Sequence, residues 1–327
     1  MATTSTFFSQ QAANRRKSFL LMLSVAVILG VFGFSAGYGT TGDPLGGLGF
    51  TAAAVVFAVL LSLGAYFGGD RMALAASRAR PATEADSQQL LNVVRELALA
   101  SNVPMPKVYL IDDSAPNAFA TGRDPQHASL AVTTGLLEKL DREELQGVIG
   151  HELGHVRNYD IRFMLLIGVL VGGVALLADM FLRATIWGGV GRRRSDDRGG
   201  GGGLQLILMA LALLLAIVAP IATRLVQLSV SRQREYLADA TSVEFTRNPA
   251  GLERALGKIA TDREVLEVAN RATQHMYFTN PIRKFEARSS SLMATHPPIA
   301  DRIDRLRELR GMPPLTEGER AALMAHG

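Results

Sequence analysis

The stretch Gly150-His151-Glu152-Leu153-Gly154-His155 carries two imidazoles and a carboxylate at a spacing that proposes a chemistry. On a helix, residues four apart share a face, so His151 and His155 can present ring nitrogens to one metal ion. Glu152, one step round, then sits beside whatever that ion holds. With six His in 327 residues, chance alone produces this pattern in fewer than roughly one such chain in a hundred. A tetrahedral zinc site needs one more protein ligand and an open position. The chain has no Cys, so any zinc must be held by His and carboxylate. Glu235 and Asp239, four apart in Ser231-Arg232-Gln233-Arg234-Glu235-Tyr236-Leu237-Ala238-Asp239-Ala240, share one helical face. Glu235 could ligate while Asp239 accepts a hydrogen bond from a ligand imidazole and fixes its tautomer. Taken alone, the pair reads more simply as solvated surface acids beside Arg232 and Arg234.

The motif needs a helix, and its boundaries are written locally. Asp141 with Glu144 three residues on forms a capping box that starts the helix near Arg142. Leu145, Ile149, Leu153 and Val156 make its buried stripe, with His151 and His155 off it. Glycine weakens a helix by about 1 kcal/mol each, so Gly147, Gly150 and Gly154 predict the close approach of another backbone. Upstream, Glu84 to Ala100 has helical periodicity, and Lys107 to Ile111 and Ala128 to Thr133 read as strands. Asn117 to Gly122 between them is a strand or a tight loop. Downstream, Asn248-Pro249 starts a helix, and a second opens near Pro298 and is closed by Gly311.

Composition places this apparatus at a membrane. Hydrophobic residues make up 48% of the chain, mean hydropathy is +0.18, and the apolar residues gather in long runs. Phe19 to Tyr38 and Leu48 to Phe67 each provide about 20 residues, roughly 30 Å of helix, enough to span. Gly30, Gly33 and Gly37 mark a packing face on the first. Arg15-Arg16-Lys17 before this hairpin and Arg71, Arg78 and Arg80 after it assign its flanks to the cytoplasm. Phe163 to Ala178 is short for a span, and reaching Trp187 would require burying Asp179 and Arg183, which are four apart and could pair. Leu204 to Thr223 returns, after a Gly-rich loop with Arg192, Arg193, Arg194 and Arg198 that runs against the positive-inside rule if both runs span. If the motif helix were continuous with the third run, its site would lie about 12 Å from that run. The net charge of +4 needs no nucleic acid, since basic residues flanking spans account for it and no nucleic-acid motif occurs.

The chain therefore reads as a mainly α integral membrane protein. About four transmembrane or membrane-embedded helices are joined to a zincin-like α+β metalloprotease domain with a small sheet. The expected parts are a polar tail (1–18), a transmembrane hairpin (19–70) and a first protease segment (71–160). A second hairpin (161–223) with its loop (188–203), a second protease segment (224–312) and a C-terminal tail (313–327) follow.

The series HELGH, an apolar hairpin, REYLADA, and Leu292-Met293-Ala294-Thr295-His296-Pro297-Pro298-Ile299-Ala300-Asp301-Arg302-Ile303 resembles the HtpX-type membrane metalloproteases, relatives of the CAAX prenyl endopeptidases. The likeness runs from the first apolar run to about Arg310 and includes Asn117 to Gly122. It implies one Zn2+ per chain on His151, His155 and Glu235, Glu152 as catalytic base, Asp239 behind a ligand imidazole, and His296 near the zinc as an oxyanion donor. Asn117 and Arg302 join it as substrate contacts. An extended substrate would add along Ala128 to Thr133, through Ala131. The implied role is endoproteolysis of misfolded or damaged membrane proteins at the cytoplasmic face of the inner membrane, often under heat stress. Partners would be protein substrates and the lipid bilayer, with an oligomer compatible. Rival readings are a prenyl-peptide endopeptidase and a non-catalytic membrane scaffold or holdase.

Overall fold

The computed structural model describes residues 7–187, 206–207, 209–217, 232–262, 264, 266, 277–278 and 297–326. The chain divides into two compact units: Arg16–Phe67 with Leu166–Gln227, and Met1–Arg15 and Gly68–Leu165 with Leu228–Gly327.

The apolar unit is built on α1 (Phe7–Thr41) and α2 (Pro44–Ala76). Helix α1 begins inside the stretch expected as a polar tail, because no Gly or Pro interrupts the chain between Phe7 and Gly30. Its apolar segment Ser18–Thr41 and the whole of α2 are long and apolar enough to cross a bilayer, at 24 and 33 residues. Only 11% of the α2 window is buried, which is incompatible with a soluble core helix. All three marked glycines face α2, two of them at the closest approach. A Cβ on Gly33 would come within 2.7 Å of the Phe50 carbonyl oxygen, and one on Gly37 within 2.7 Å of that of Gly46. Helix α6 (Asp160–Trp187) carries the third run to Trp187. Asp179 and Arg183 pair across one turn, Nε to Oδ2 at 2.7 Å. On the return run, residues 206–207 and 209–217 are helical. The Gly- and Arg-rich loop and the stretch from Pro220 to Thr223 lie outside the described residues.

The other unit surrounds a four-stranded mixed sheet, β1 (Arg80–Pro81), β2 (Lys107–Ile111), β3 (Ala118–Gly122) and β4 (Ala128–Thr133), in the spatial order β1-β2-β4-β3. Strand β4 runs parallel to β2 and antiparallel to β3, so β3 forms the sheet's edge. Thr133 pins the start of that edge, its hydroxyl accepting from the Asn117 N–H at 2.9 Å. Helix α3 (Glu84–Ser101), the short α4 (Thr134–Lys139) and α5 (Arg142–Arg157) complete the first half. The second half contributes α7 (Arg232–Thr246), α8 (Pro249–Thr261) and α9 (Ile299–Leu309). Leu90 and Leu97 of α3, Leu130 and Val132 of β4, Leu145, Ile149 and Leu153 of α5, and Leu252 and Leu256 of α8 share one buried cluster. Each such large side chain contributes about 1.5–3 kcal/mol on burial.

Two elements differ from the sequence reading. Beyond Gly311, where only a tail was expected, α10 (Glu317–His326) forms and its Leu323 packs on the core cluster. Arg307 bridges Glu253 and Glu319, which anchors this helix to α8 and α9. Helices α5 and α6 are not continuous: Tyr159 adopts φ +61° between them, so the straight 12 Å extension does not apply.

Candidate metal centre

The capping box forms as read. Glu144 N–H donates to Asp141 Oδ1 at 2.9 Å, and Asp141 N–H to Glu144 Oε2 at 2.8 Å, which starts α5 at Arg142 and fixes the phase of everything after it. In that phase Gly147, Gly150 and Gly154 face α7 and α8. A Cβ on Gly147 would lie 2.7 Å from the Leu252 backbone, and one on Gly150 would lie 2.8 Å from Ser242 Oγ. The Ser242 hydroxyl instead donates to the Gly147 carbonyl at 2.6 Å. This close approach sets the Glu235–Asp239 face of α7 against the two histidines.

His151, His155 and Glu235 are all buried and offer donor atoms within 4.8 Å of one another. The two imidazole Nε2 atoms are 3.1 Å apart. Glu235 oxygens lie 3.6 Å from each. Tetrahedral zinc with bonds of about 2.0–2.1 Å requires donor separations of about 3.3 Å, so the triangle fits one such ion. The outward nitrogens supply a second test. His151 Nδ1 lies 2.8 Å from Asp239 Oδ1, and His155 Nδ1 lies 3.1 Å from Asp160 Oδ2. With both Nδ1 hydrogens donated to carboxylates, both Nε2 lone pairs converge on one point. That arrangement calls for a positive charge between them, either a proton or a metal.

Electrostatics agree. Burial, reinforced by the Arg302 charge, lowers the His151 pKa to about 4 and keeps that ring neutral. Burial also opposes charge on His155, but the Asp160 hydrogen bond and the Glu235 charge outweigh it and raise its pKa to about 9. Without metal, one proton on His155 fills the point where the lone pairs meet. Asp239, although buried, is held below its ordinary value by Arg302 and His151.

Glu152 is buried as well. Its Oε2 accepts the Ala120 N–H at 2.8 Å, tying the carboxylate to strand β3. Phe278 takes the neighbouring place on that strand, its N–H donating to the Ala118 carbonyl at 2.8 Å and its ring standing edge-on to His151 at 4.8 Å.

Two expected substrate contacts are corrected. Ala131 is paired with Tyr109 on one side and Phe119 on the other, so its strand has no edge to offer a substrate. Arg302 is 1% exposed and spends its guanidinium on Asp239, Nε to Oδ2 at 2.9 Å and Nη2 to Oδ1 at 2.7 Å. It supports the carboxylate behind His151 and does not face a substrate. Asn117 is buried at the head of β3, its main chain paired with Thr133 and its Oδ1 accepting from Ala118. His296 lies outside the described residues. Asp160, Arg234 and Ala120 were not singled out from sequence. Only Asp160, five residues past His155 and just before an apolar helix, left a signal that could have been followed.

An HExxH helix whose two histidines meet a carboxylate from a later helix, with the motif Glu against an edge strand, defines the class of metal-dependent peptidases. Comparison with known proteins makes this specific. Residues 84–310 match the model of Peptidase family M48, and the chain belongs to that family. It is 44% identical over 308 residues to a protease HtpX homolog of Caldanaerobacter subterraneus subsp. tengcongensis, covering 94% of this chain and 99% of that protein. It is 39% identical over 302 residues to one of Streptococcus gordonii, covering 92% and 99%. Among solved structures, the crystal structure of S. mikatae Ste24p aligns with a TM-score of 0.48 at 19% identity, covering 91% of this chain and 67% of that one. The chain is a membrane metallopeptidase.

Proposed function

We propose that the chain is a zinc-dependent endopeptidase, with one Zn2+ per chain, that cleaves misfolded or damaged membrane proteins at the cytoplasmic face of the inner membrane. The observation that carries this reading is the buried triangle of His151, His155 and Glu235 with Glu152 beside it. When bound, zinc supplies Lewis acidity toward the scissile carbonyl and the attacking water. Glu152, held by the Ala120 N–H, takes a proton from that water and delivers it to the leaving amine. Asp239 and Arg302 keep the His151 Nε2 lone pair turned inward. Strand β3, as the sheet edge, is proposed to pair with an extended substrate through backbone groups other than the Ala118 carbonyl, which Phe278 takes, and the Ala120 N–H, which Glu152 takes. His296 is proposed as an oxyanion donor. The cytoplasmic placement is supported by the basic residues on both flanks of the first hairpin. The 28 residues of α6 and the apolar helical residues 206–207 and 209–217 support a second hairpin, and so a multi-pass chain.

The test uses full-length protein in detergent, with zinc content and cleavage of an unfolded membrane protein measured together. Glu152→Gln should keep zinc and lose cleavage by about 10²–10⁴-fold, whereas His155→Ala and Glu235→Ala should lose both. Cleavage retained by Glu152→Gln would falsify the base assignment and favour a scaffold. A prenylated peptide assayed in parallel separates the prenyl-peptidase alternative.

A further inference from the structure

The metal centre has two supporting arms, of which only the one through Asp239 and Arg302 was expected in part. Asp160 is 1% exposed, and its two oxygens diverge: Oδ2 lies 3.1 Å from His155 Nδ1 and Oδ1 lies 3.7 Å from Arg234 Nη1. The Arg234 guanidinium is nearly buried and lies over the Phe163 ring, 4.5 Å from its centroid. Resting on the metal-site reading above, we propose that Asp160 and Arg234 form a positioning relay for His155, the counterpart of Asp239 and Arg302 behind His151.

Three features of the fold carry this. Asp160 reaches His155 because the chain turns at Asn158–Tyr159, where Tyr159 holds φ +61°, a conformation that a residue with a bulky side chain rarely adopts. Backbone strain of that kind persists where the surroundings over-determine it. Helix α7 delivers Arg234 and Glu235 on consecutive residues, so the counter-charge of the His155 orienter and the third ligand arrive together. One turn on, the same helix delivers Asp239 to His151. A single α7 register thus serves both imidazoles and the metal. The two arms differ in grip. Arg302 holds Asp239 with two hydrogen bonds of 2.7 and 2.9 Å, whereas Arg234 stands off Asp160 at 3.7 Å and acts through charge. The competing account makes Asp160 only an N-terminal partner of α6, a role that Asn or Ser fills equally well.

The experiment uses metal-stripped full-length protein in detergent, with zinc affinity read by chelator competition and site geometry by the visible absorption of the Co2+ form. Asp160→Asn and Asp160→Ser keep a helix-capping side chain but remove the carboxylate. Each should weaken zinc binding about 10- to 100-fold and alter the cobalt bands, with the melting temperature of the metal-free protein reported alongside. Arg234→Met should weaken binding and shift the cobalt spectrum the same way, and Arg234→Lys, which restores the charge, should recover both. The double variant Asp160→Asn/Arg234→Met should bind no worse than Asp160→Asn alone, since Arg234 acts through Asp160. Wild-type affinity and cobalt spectrum in Asp160→Asn and Arg234→Met, with His155→Ala unable to bind, overturns the relay and leaves the metal site standing. Wild-type binding in His155→Ala overturns both.

Discussion

Asp239 and Arg302 offer a way to separate what holds the fold from what holds the metal. Both side chains are almost fully buried, at 6% and 1% exposure, and they meet in two near-parallel hydrogen bonds of 2.9 and 2.7 Å. Solvent does not screen such a pair, so removing one partner leaves a bare charge in the interior and costs about 3–5 kcal/mol. Native domains have about 5–15 kcal/mol of stability, so either Asp239→Leu or Arg302→Met should lower the melting temperature sharply. Replacing both with apolar residues removes the stranded charge, and such swaps are often neutral or stabilising by about 1–4 kcal/mol. The double variant should therefore melt close to wild type. His151, however, has still lost the acceptor for its Nδ1–H, which lies 2.8 Å away. Zinc affinity should stay about 10- to 100-fold down in every variant that lacks Asp239. Melting is followed with chelator present, so that metal binding does not add to stability, and affinity is measured by competition on the same preparations. A double variant that recovers stability and zinc affinity together would refute the reasoning, because Asp239 would then be a structural charge without a role in aiming His151.

Two further predictions follow from the sheet and from the titration of the site. Ala120→Pro deletes an N–H on the edge strand that serves Glu152, not β4, so the fold and zinc should survive. Losing a hydrogen bond to a charged group costs about 1.5–3 kcal/mol, so cleavage should fall about 10- to 100-fold; Ala131→Pro, paired on both sides, should fail to fold, and equal behaviour of the two would contradict the strand order. The second concerns pH. His155 is held protonated up to about pH 9 while His151 titrates near 4, so between pH 6 and 8 zinc must displace one proton. The logarithm of the binding constant should rise by about one per pH unit over that window and level off above about 9. A flat profile would mean that no proton occupies the point between the rings.

Much of the site was legible because its determinants are local and periodic. Asp141 and Glu144 set the phase of α5, and three glycines on one face of that helix announced the approach of a second backbone. The i, i+4 spacing of Glu235 and Asp239 then left one helix suited to bring a carboxylate to the histidines. What could not be read depends on non-local facts. Strand order is one: Ala128–Thr133 looked like a strand, but nothing in its residues says that β2 and β3 cover both edges. The direction of a buried arginine is another, since Arg302 lies 63 residues from the carboxylate it holds. Asp160 was hidden by a single dihedral, because only the left-handed Tyr159 turns it back toward His155. The α10 helix was missed because its anchors, Arg307 with Glu253 and Glu319, are charges whose partners a pattern search cannot pair.

The strand order also bears on which substrates the proposed enzyme would accept. Glu152 is tied to the backbone of β3 at Ala120, so the proposed base and the proposed substrate platform are one rigid assembly. On this reading, a substrate that pairs with that edge places its scissile bond through main-chain hydrogen bonds, which every peptide can make and which carry little sequence information. A folded protein has few unpaired extended segments to offer, because its own sheets and helices already satisfy its backbone. Selection would then fall on the availability of an extended chain more than on its side chains. A peptidase anchored by a hairpin of two apolar helices would meet such chains where membrane proteins have lost their packing. The proposed quality-control role would thus rest on an edge strand and a membrane anchor together, and would need no side-chain pocket tuned to one sequence.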